Sequence, residues 1–426
     1  MIHADSDTAE YSRVVQESLS VARTVAPLDP AISGQRQTAR RQLPYTLTVR
    51  AAGALHRRHT RFRHDASFFS LVLRELAATT GRSPPSLACD LLSAWTFLRI
   101  PPREFARHLL FDVPRKRWRD FVSYPELIPF FNATVDPNER ALSLDKIAFA
   151  ELHRGHGIPW PRTLAVINRS NGPPVLRARV IDKSDQFWSR LRDIWRSGAI
   201  VLKPCCGQSG IGFYRISQDG VIQNESGGVL APEALTRQVF AYTHRFALNG
   251  YLAQPALSPH ADIVALTGIS TLSALRVVTA YQGDRVHTIH AWLKIPAPGR
   301  LTDNFHGGVW GTAAAGLNLV DGRLTKLVGL FRAGNSLVIE RRAIHPASGH
   351  MIEGCELPHW REAIALAHRA HALHSRTATL AWDVVLASEG CVIVDGNTRW
   401  GVGAGQASLG AGLRPALARL FPDFWA

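Results

Sequence analysis

Lysine is the scarce charged residue of this chain: six lysines stand against 43 arginines in 426 residues. Cysteine is scarce too. The five cysteines, Cys89, Cys205, Cys206, Cys355 and Cys391, form no Cys-x-x-Cys pair. That excludes a disulfide framework and a zinc knuckle. No uninterrupted apolar run reaches membrane-spanning length, so no transmembrane segment is expected. The N-terminus, Met1-Ile-His-Ala-Asp-Ser-Asp, is acidic and has no apolar core segment, unlike a secretory signal. A cytoplasmic location is the expectation. Walker A, a Gly-x-Ser-x-Gly elbow and a His-Glu-x-x-His helix are all missing, which removes P-loop, serine-hydrolase and zincin chemistry. The net charge is +15, yet no zinc finger, RNA-recognition signature or basic zipper accompanies it. The charge therefore reads as arginine bias with an anionic small substrate, and no specific nucleic-acid partner is expected.

What is present is globular. Apolar residues make up 46% and charged residues 19%, and the length asks for two or three lobes. Residues 1–35 read as polar and loosely ordered. Residues 36–140 read as mainly helical, an appendage or docking surface punctuated by Pro84-Pro85 and Pro101-Pro102. From about 141 the pattern turns to mixed α and β. Helices are expected over 145–156, 182–198, 232–246 and 359–376. Hairpins are expected around Gln282-Gly283-Asp284 and around Ser388-Glu389-Gly390. His368, His371 and His374 recur on the last helix without a completing carboxylate and read as a solvated or interfacial stripe.

Four constellations carry chemistry. In the first, a short apolar strand delivers Lys203, then a loop with Gly207, Gly210 and Gly212 leads into another strand. Such a loop offers free N–H groups to an anion, and a following strand rejects both Walker A and the dinucleotide fingerprint. Lysine's scarcity sharpens this, because Lys146, Lys203 and Lys294 all fall at or beside a motif. A compact ammonium meets a phosphate oxygen as a point charge. In the second, the loop Ser388-Glu389-Gly390 would pair Ala387 with Cys391 and, counting outward, Asp383 with Asp395. Asn397, two residues on, would share their face. Opposed carboxylates need a cation between them, and hard oxygen donors suit Mg²⁺ or Mn²⁺. In the third, Arg276 lies in an apolar strand and requires an anionic partner, a transferring phosphoryl group or a structural carboxylate. In the fourth, Asp303-Asn304 precedes Gly307-Gly308, either a backbone brought close to a ligand or a surface turn.

In chain order these pieces resemble the ATP-grasp superfamily, and more closely its sugar-transfer-associated branch. The matching stretches are Leu144-Asp145-Lys146 with Gly157-Ile158-Pro159, Val201 to Gly212, Tyr251 to Gln254, Ser273 to Thr279, Asp303 to Gly308, and Trp382 to Asn397. They span about residues 100–405. The resemblance implies an α+β fold in which two lobes, 141–255 and 256–426, clasp ATP behind a helical N-terminal extension. It implies nucleotide contacts from Lys146, Lys203, a mobile flap of Gly207, Gln208, Ser209, Gly210 and Gly212, and a hinge of Leu252, Ala253 and Gln254. Arg276 and Lys294 would be catalytic, Asp303 and Asn304 would bind the acceptor, and Asp383, Asp395 and Asn397 would hold Mg²⁺ or Mn²⁺. Many relatives carry Glu where Gln254 and Asp395 stand here, so the hinge contact and the tightness of metal binding differ. The expected activity is Mg-ATP-dependent ligation through an acyl phosphate captured by an amine or other nucleophile. A phosphotransfer to a small-molecule hydroxyl, or ATP binding without catalysis beside a glycosyltransferase, are the alternatives. The acceptor would be a small carboxylate or sugar-linked molecule, and the family name links it to polysaccharide or glycoconjugate synthesis.

Overall fold

Two antiparallel-rich sheets organise the chain in this computed structural model, which describes residues 68–169, 178–207, 210–242, 250–332 and 337–425. The chain divides after Arg63, and the described residues all belong to the unit His64–Ala426. The first sheet has six strands: β1 (Ala165–Ile167), β2 (Arg179–Ile181), β3 (Ile200–Pro204), β4 (Tyr214–Ile216), β5 (Ile222–Asn224) and β6 (Tyr251–Pro255). Their order is β2-β1-β6-β3-β4-β5. Helices Phe187–Arg196 and Pro232–Ala241 close its core, burying Phe187 and Leu191 from the one and Leu235 and Val239 from the other against Ile200, Leu202 and Ala253. Residues one helical turn apart share a face, which is why Phe187 and Leu191 bury together.

The second sheet has seven strands: β7 (Ala274–Gln282), β8 (Arg285–Ile295), β9 (Ala313–Leu317), β10 (Leu324–Gly329), β11 (Glu340–Arg342), β12 (Thr379–Ala387) and β13 (Gly390–Asn397). Their order is β11-β10-β9-β8-β7-β12-β13. Both faces are covered. One packs Leu275, Val277, Leu293 and Val384 against helix Trp360–His371. The other packs Val278, Trp292 and Ala381 against Leu127, Phe130 and Phe131 of helix Tyr124–Thr134 and against C-terminal residues such as Ala407 and Leu417. The N-terminal helical segment is therefore built into the second sheet's core rather than attached outside it. Farther back, Leu87, Leu91 and Phe105 pack on Leu337 and Val338.

Helix Lys146–Gly155 joins the two sheets. Asp145 caps it, accepting from the N–H groups of Ile147 and Ala148, which satisfies donors that have no partner inside the helix. Ile147 packs with Val166 and Leu252 of the first sheet, while Phe149 and Ala150 enter the core of the second.

Several expectations move. The helix expected over 182–198 runs Phe187–Arg196 behind a 3-10 turn at Ser184–Gln186. The one expected over 232–246 is described as Pro232–Ala241, and 243–249 lie outside the described residues. The histidine stripe is corrected outright: His371 and His374 are buried and His368 is half-buried. His371 bonds the Thr279 hydroxyl at 2.6 Å and the Thr377 carbonyl at 2.9 Å, and His374 meets His153 at 3.1 Å. The faces these positions present turn inward because the helix packs on β7, β8 and β12.

Candidate active site

The β12–β13 hairpin supplies the densest group of charges. Its turn is one residue tighter than expected, with Ala387 paired to Gly390 and Leu386 to Cys391. A β-bulge then inserts Val394 between Ile393 and Asp395, and the register returns to Asp383 opposite Asp395. The expected pairing of the two aspartates is thus met by another route. The bulge also frees a backbone group from the ladder, and Lys203 Nζ of the first sheet donates to the Val394 carbonyl at 3.2 Å.

Around the aspartates, cations and carboxylates alternate. Lys146 Nζ donates to both Asp395 oxygens at 2.9 Å. Arg276 grips Asp383 bidentately, Nε at 2.6 Å and Nη2 at 2.9 Å. Lys294 Nζ lies 3.1 Å from Asp383 and 2.9 Å from Asp303, and the other Asp303 oxygen accepts from the Ala274 N–H at 2.9 Å. Topology explains the convergence. Arg276 is the cross-strand neighbour of Asp383 on one side and of Trp292 on the other, and Lys294, two residues from Trp292, shares its face.

Burial alone would raise the Asp383 carboxyl, but Arg276 and then Lys294 outweigh it and hold it below the usual range. Asp303 is pushed up, chiefly by burial, with Lys294 offsetting only part. Lys203 keeps some solvent exposure, yet desolvation of its ammonium and then the charge of Lys146 lower its pKa to about 8. The neighbouring Cys205 thiol is driven up to about 12 by burial, which makes it a packing residue and not a nucleophile.

The flap glycines sit where side chains are excluded. Gly210 and Gly212 have φ of +72° and +75°. A Cβ on Gly210 would come 2.5 Å from the Asn304 amide nitrogen, and one on Gly212 would come 2.6 Å from the Tyr251 hydroxyl. The flap therefore lies against the Asp303-Asn304 loop. Gly207 packs on Pro204; Gln208 and Ser209 lie outside the described residues. Leu252 and Ala253 occupy the central strand β6, paired on both sides with β1 and β3. The Gln254 amide donates to the Pro161 carbonyl at 2.9 Å, so its side chain is spent on the fold.

Asp383, Asp395 and Asn397 fit a hard divalent cation by the chemistry of their donors. Two carboxylates face each other across the ladder, and among the described residues no hydrogen bond engages the Asn397 side chain. Sequence reasoning named Lys146, Lys203, Arg276, Lys294, Asp303, Asp383 and Asp395, which the structure brings together, but it missed two features. The Val394 carbonyl has no signal in the sequence, because a bulge is not legible there. The contact of Lys294 with both Asp303 and Asp383 could have been traced from lysine scarcity and strand alternation.

Two sheets thus meet at a hairpin of paired aspartates, with Lys146 and Lys203 reaching it from the side of the first sheet. A family model described as sugar-transfer associated ATP-grasp matches residues 128–420, and the chain belongs to that family. No curated protein matches the chain. Among solved structures, D-alanyl-alanine synthetase A from Vibrio cholerae O1 biovar eltor is 14% identical with a TM-score of 0.37, the match covering 71% of each chain. The biotin carboxylase domain of 2-oxoglutarate carboxylase from Hydrogenobacter thermophilus, solved with MgADP and bicarbonate, is 12% identical at a TM-score of 0.33. That match covers 62% of this chain and 41% of the carboxylase chain. An L-amino acid ligase from Bacillus licheniformis is 11% identical at 0.32, covering 62% and 42%. These likenesses are too distant to speak to the reaction. Among the described residues no helix is long and apolar enough to cross a membrane.

Proposed function

We propose that the protein is a Mg-ATP-dependent ligase that activates a carboxylate as an acyl phosphate. The observation that carries this reading is the meeting of both sheets at one cluster: Lys146 on Asp395, Lys203 on the Val394 carbonyl, and Arg276 and Lys294 on Asp383. Lys146 and Lys203 would meet nucleotide phosphates, and the flap from Gly207 to Gly212 would cover them. Leu252 and Ala253 are flanked on both sides, so any backbone contact with the adenine edge would come from Gln254 onward.

Asp383, Asp395 and Asn397 would hold Mg²⁺ or Mn²⁺, which would supply positive charge to offset that of the phosphates. The chain's own residues do the rest. A substrate carboxylate oxygen attacks the γ-phosphorus, the bond to the β–γ bridging oxygen breaks, and ADP leaves with that electron pair. Arg276 and Lys294 would neutralise charge on the transferred group, and such preorganised donors are typically the largest catalytic term. An amine or other nucleophile then attacks the acyl carbon, and inorganic phosphate departs. Asp303 and Asn304, against the flap, would position the acceptor. The sugar-transfer association of the family supports an acceptor from polysaccharide or glycoconjugate synthesis.

The test is acceptor-dependent turnover followed by ³¹P NMR. ADP and free phosphate in equal amounts support the ligase. Phosphate retained on the acceptor would instead identify a kinase, and tight ATP binding without turnover over a broad acceptor panel would leave a non-catalytic nucleotide binder.

A further inference from the structure

At the turn end of the β12–β13 hairpin two histidines come together that the ligase reading does not use. His260 precedes helix Ala261–Thr267, and His359 precedes helix Trp360–His371. The hairpin brings them to one place. Leu386 and Cys391 are cross-strand partners. The His260 N–H donates to the Leu386 carbonyl at 2.9 Å, and the Cys391 thiol lies 3.8 Å from the His359 carbonyl. A bridge between Pro259 and Ala387 holds the first of these contacts in place. The two imidazole rings then meet edge to face, with centroids 4.6 Å apart.

Asp262 completes the group. His260 Nδ1 accepts from the Asp262 N–H at 3.2 Å, so in the neutral ring that nitrogen carries a lone pair. The Asp262 carboxylate, also an acceptor, stands 3.5 Å from it. Two acceptors that close are stabilised by a cation shared between them. Ligands of a tetrahedral zinc ion stand about 3.3–3.5 Å apart, so this pair already has the spacing. One ligand atom from each of His260, Asp262 and His359 lies within 4.8 Å of the other two, and among the described residues no other three histidines, cysteines or acids do so. Asp262 and His359 are exposed and His260 is half-buried, which leaves an ion a path from solvent and the side chains room to close on it. Glu362 Oε2 lies 3.8 Å from His359 Nδ1, and a metal-bound imidazole commonly gives its other N–H to a carboxylate. Cys391 is no ligand, because burial pushes its thiol up to about 12 and keeps it protonated. Two imidazoles with one carboxylate select zinc over Mg²⁺, which prefers an all-oxygen shell.

We infer that His260, Asp262 and His359 form a zinc site, with water in the fourth position, that clasps the starts of two helices onto the hairpin turn. The same two strands carry Asp383 and Asp395, so the ion stiffens the hairpin that presents those carboxylates. The site is separate from the Mg²⁺ ligands, and its assignment does not depend on the ligase reading.

The experiment strips the full chain with EDTA, removes the chelator, and titrates Zn²⁺ by calorimetry in excess Mg²⁺, which keeps the Asp383 and Asp395 carboxylates supplied with their own cation. Zinc should bind the wild type and raise its melting temperature. In His260→Gln and in His359→Asn the zinc affinity should fall at least tenfold, and zinc should no longer raise the melting temperature. Asp262→Asn should give a smaller loss. Co²⁺ in place of zinc should give the strong visible d–d absorption of a four-coordinate ion in the wild type and lose it in His359→Asn. That variant decides the question should His260→Gln, which also loses a helix cap, fail to fold: His359 is exposed, and asparagine tolerates its φ of +56°. No zinc binding to the wild type in excess Mg²⁺, affinity that falls less than tenfold in both histidine variants, or a cobalt spectrum that His359→Asn leaves unchanged would each overturn the inference. The last two outcomes would mark adventitious capture elsewhere on the chain.

Discussion

Replacing Asp395 with asparagine separates metal binding from folding at this site. Asp395 is moderately exposed, with 29% of its side chain accessible, and its partner is Lys146 at 2.9 Å. A partly solvated pair of this kind contributes about 1 kcal/mol or less, so Asp395→Asn should shift chemical denaturation only slightly. Asp383 is different. It is buried and holds Arg276 at 2.6 Å and Lys294 at 3.1 Å; removing it strands Arg276 and leaves Lys294 to Asp303 alone, at a cost of about 3–5 kcal/mol. Asp383→Asn should therefore unfold at clearly lower denaturant. Nucleotide binding adds a sign change. With Mg²⁺, Asp395→Asn should lose roughly tenfold or more in ADP affinity, about 1.4 kcal/mol, because one hard ligand is gone. Without Mg²⁺ the same variant should bind ADP as well as wild type or tighter, because Lys146 no longer has Asp395 as a countercharge. Calorimetry with Mg²⁺ and with excess EDTA reads both arms. Equal losses in the two conditions, or none with Mg²⁺, would refute the metal assignment.

Other outcomes follow from the same geometry. Lys203 has its pKa lowered to about 8, first by burial. A bound phosphate would raise it again, so Mg-ATP affinity should be level below pH 8 and fall above it, by up to about tenfold per pH unit for one linked proton; a flat profile to pH 9.5 would remove Lys203 from the phosphate contact. Gly210→Ala forces a Cβ to 2.5 Å from Asn304 at a φ of +72°. It should cost about 1 kcal/mol or more and weaken nucleotide and acceptor together, measured as paired changes in KM. His153, His371 and His374 are held at about 4, 4 and 3, chiefly by burial. Their folded values lie below the unfolded value near 6.5, so the unfolded chain binds more protons between the two. Stability should then fall as pH drops from about 6.5 toward 4, by up to about 1.4 kcal/mol per pH unit per histidine. Urea denaturation of His371→Gln across that range should show a shallower decline.

The sequence carried a good part of this by itself. Strand alternation and the spacing from Asp383 to Asp395 and Asn397 are local facts, and they are what pointed to three oxygen donors on one face. Lysine scarcity marked Lys146, Lys203 and Lys294, and the order of motifs marked the family. Asp145 and Asp136 cap helices through N–H groups two and three residues on, an interaction local to the sequence. What tertiary structure decided was partnership. The hairpin register came out right only because a tighter turn and a bulge at Val394 offset each other, and the freed carbonyl met a lysine from the other sheet. His371 and His374 turned inward because of what their helix packs on, which its own periodicity does not state. Ser143 and Thr398 lie 255 positions apart, and their hydroxyls meet only because helix Pro137–Leu144 abuts the end of β13. Local patterns fix which face a side chain takes. Which charge stands opposite it depends on long-range packing, and that packing decides whether a lysine or arginine is a salt bridge or a binding site.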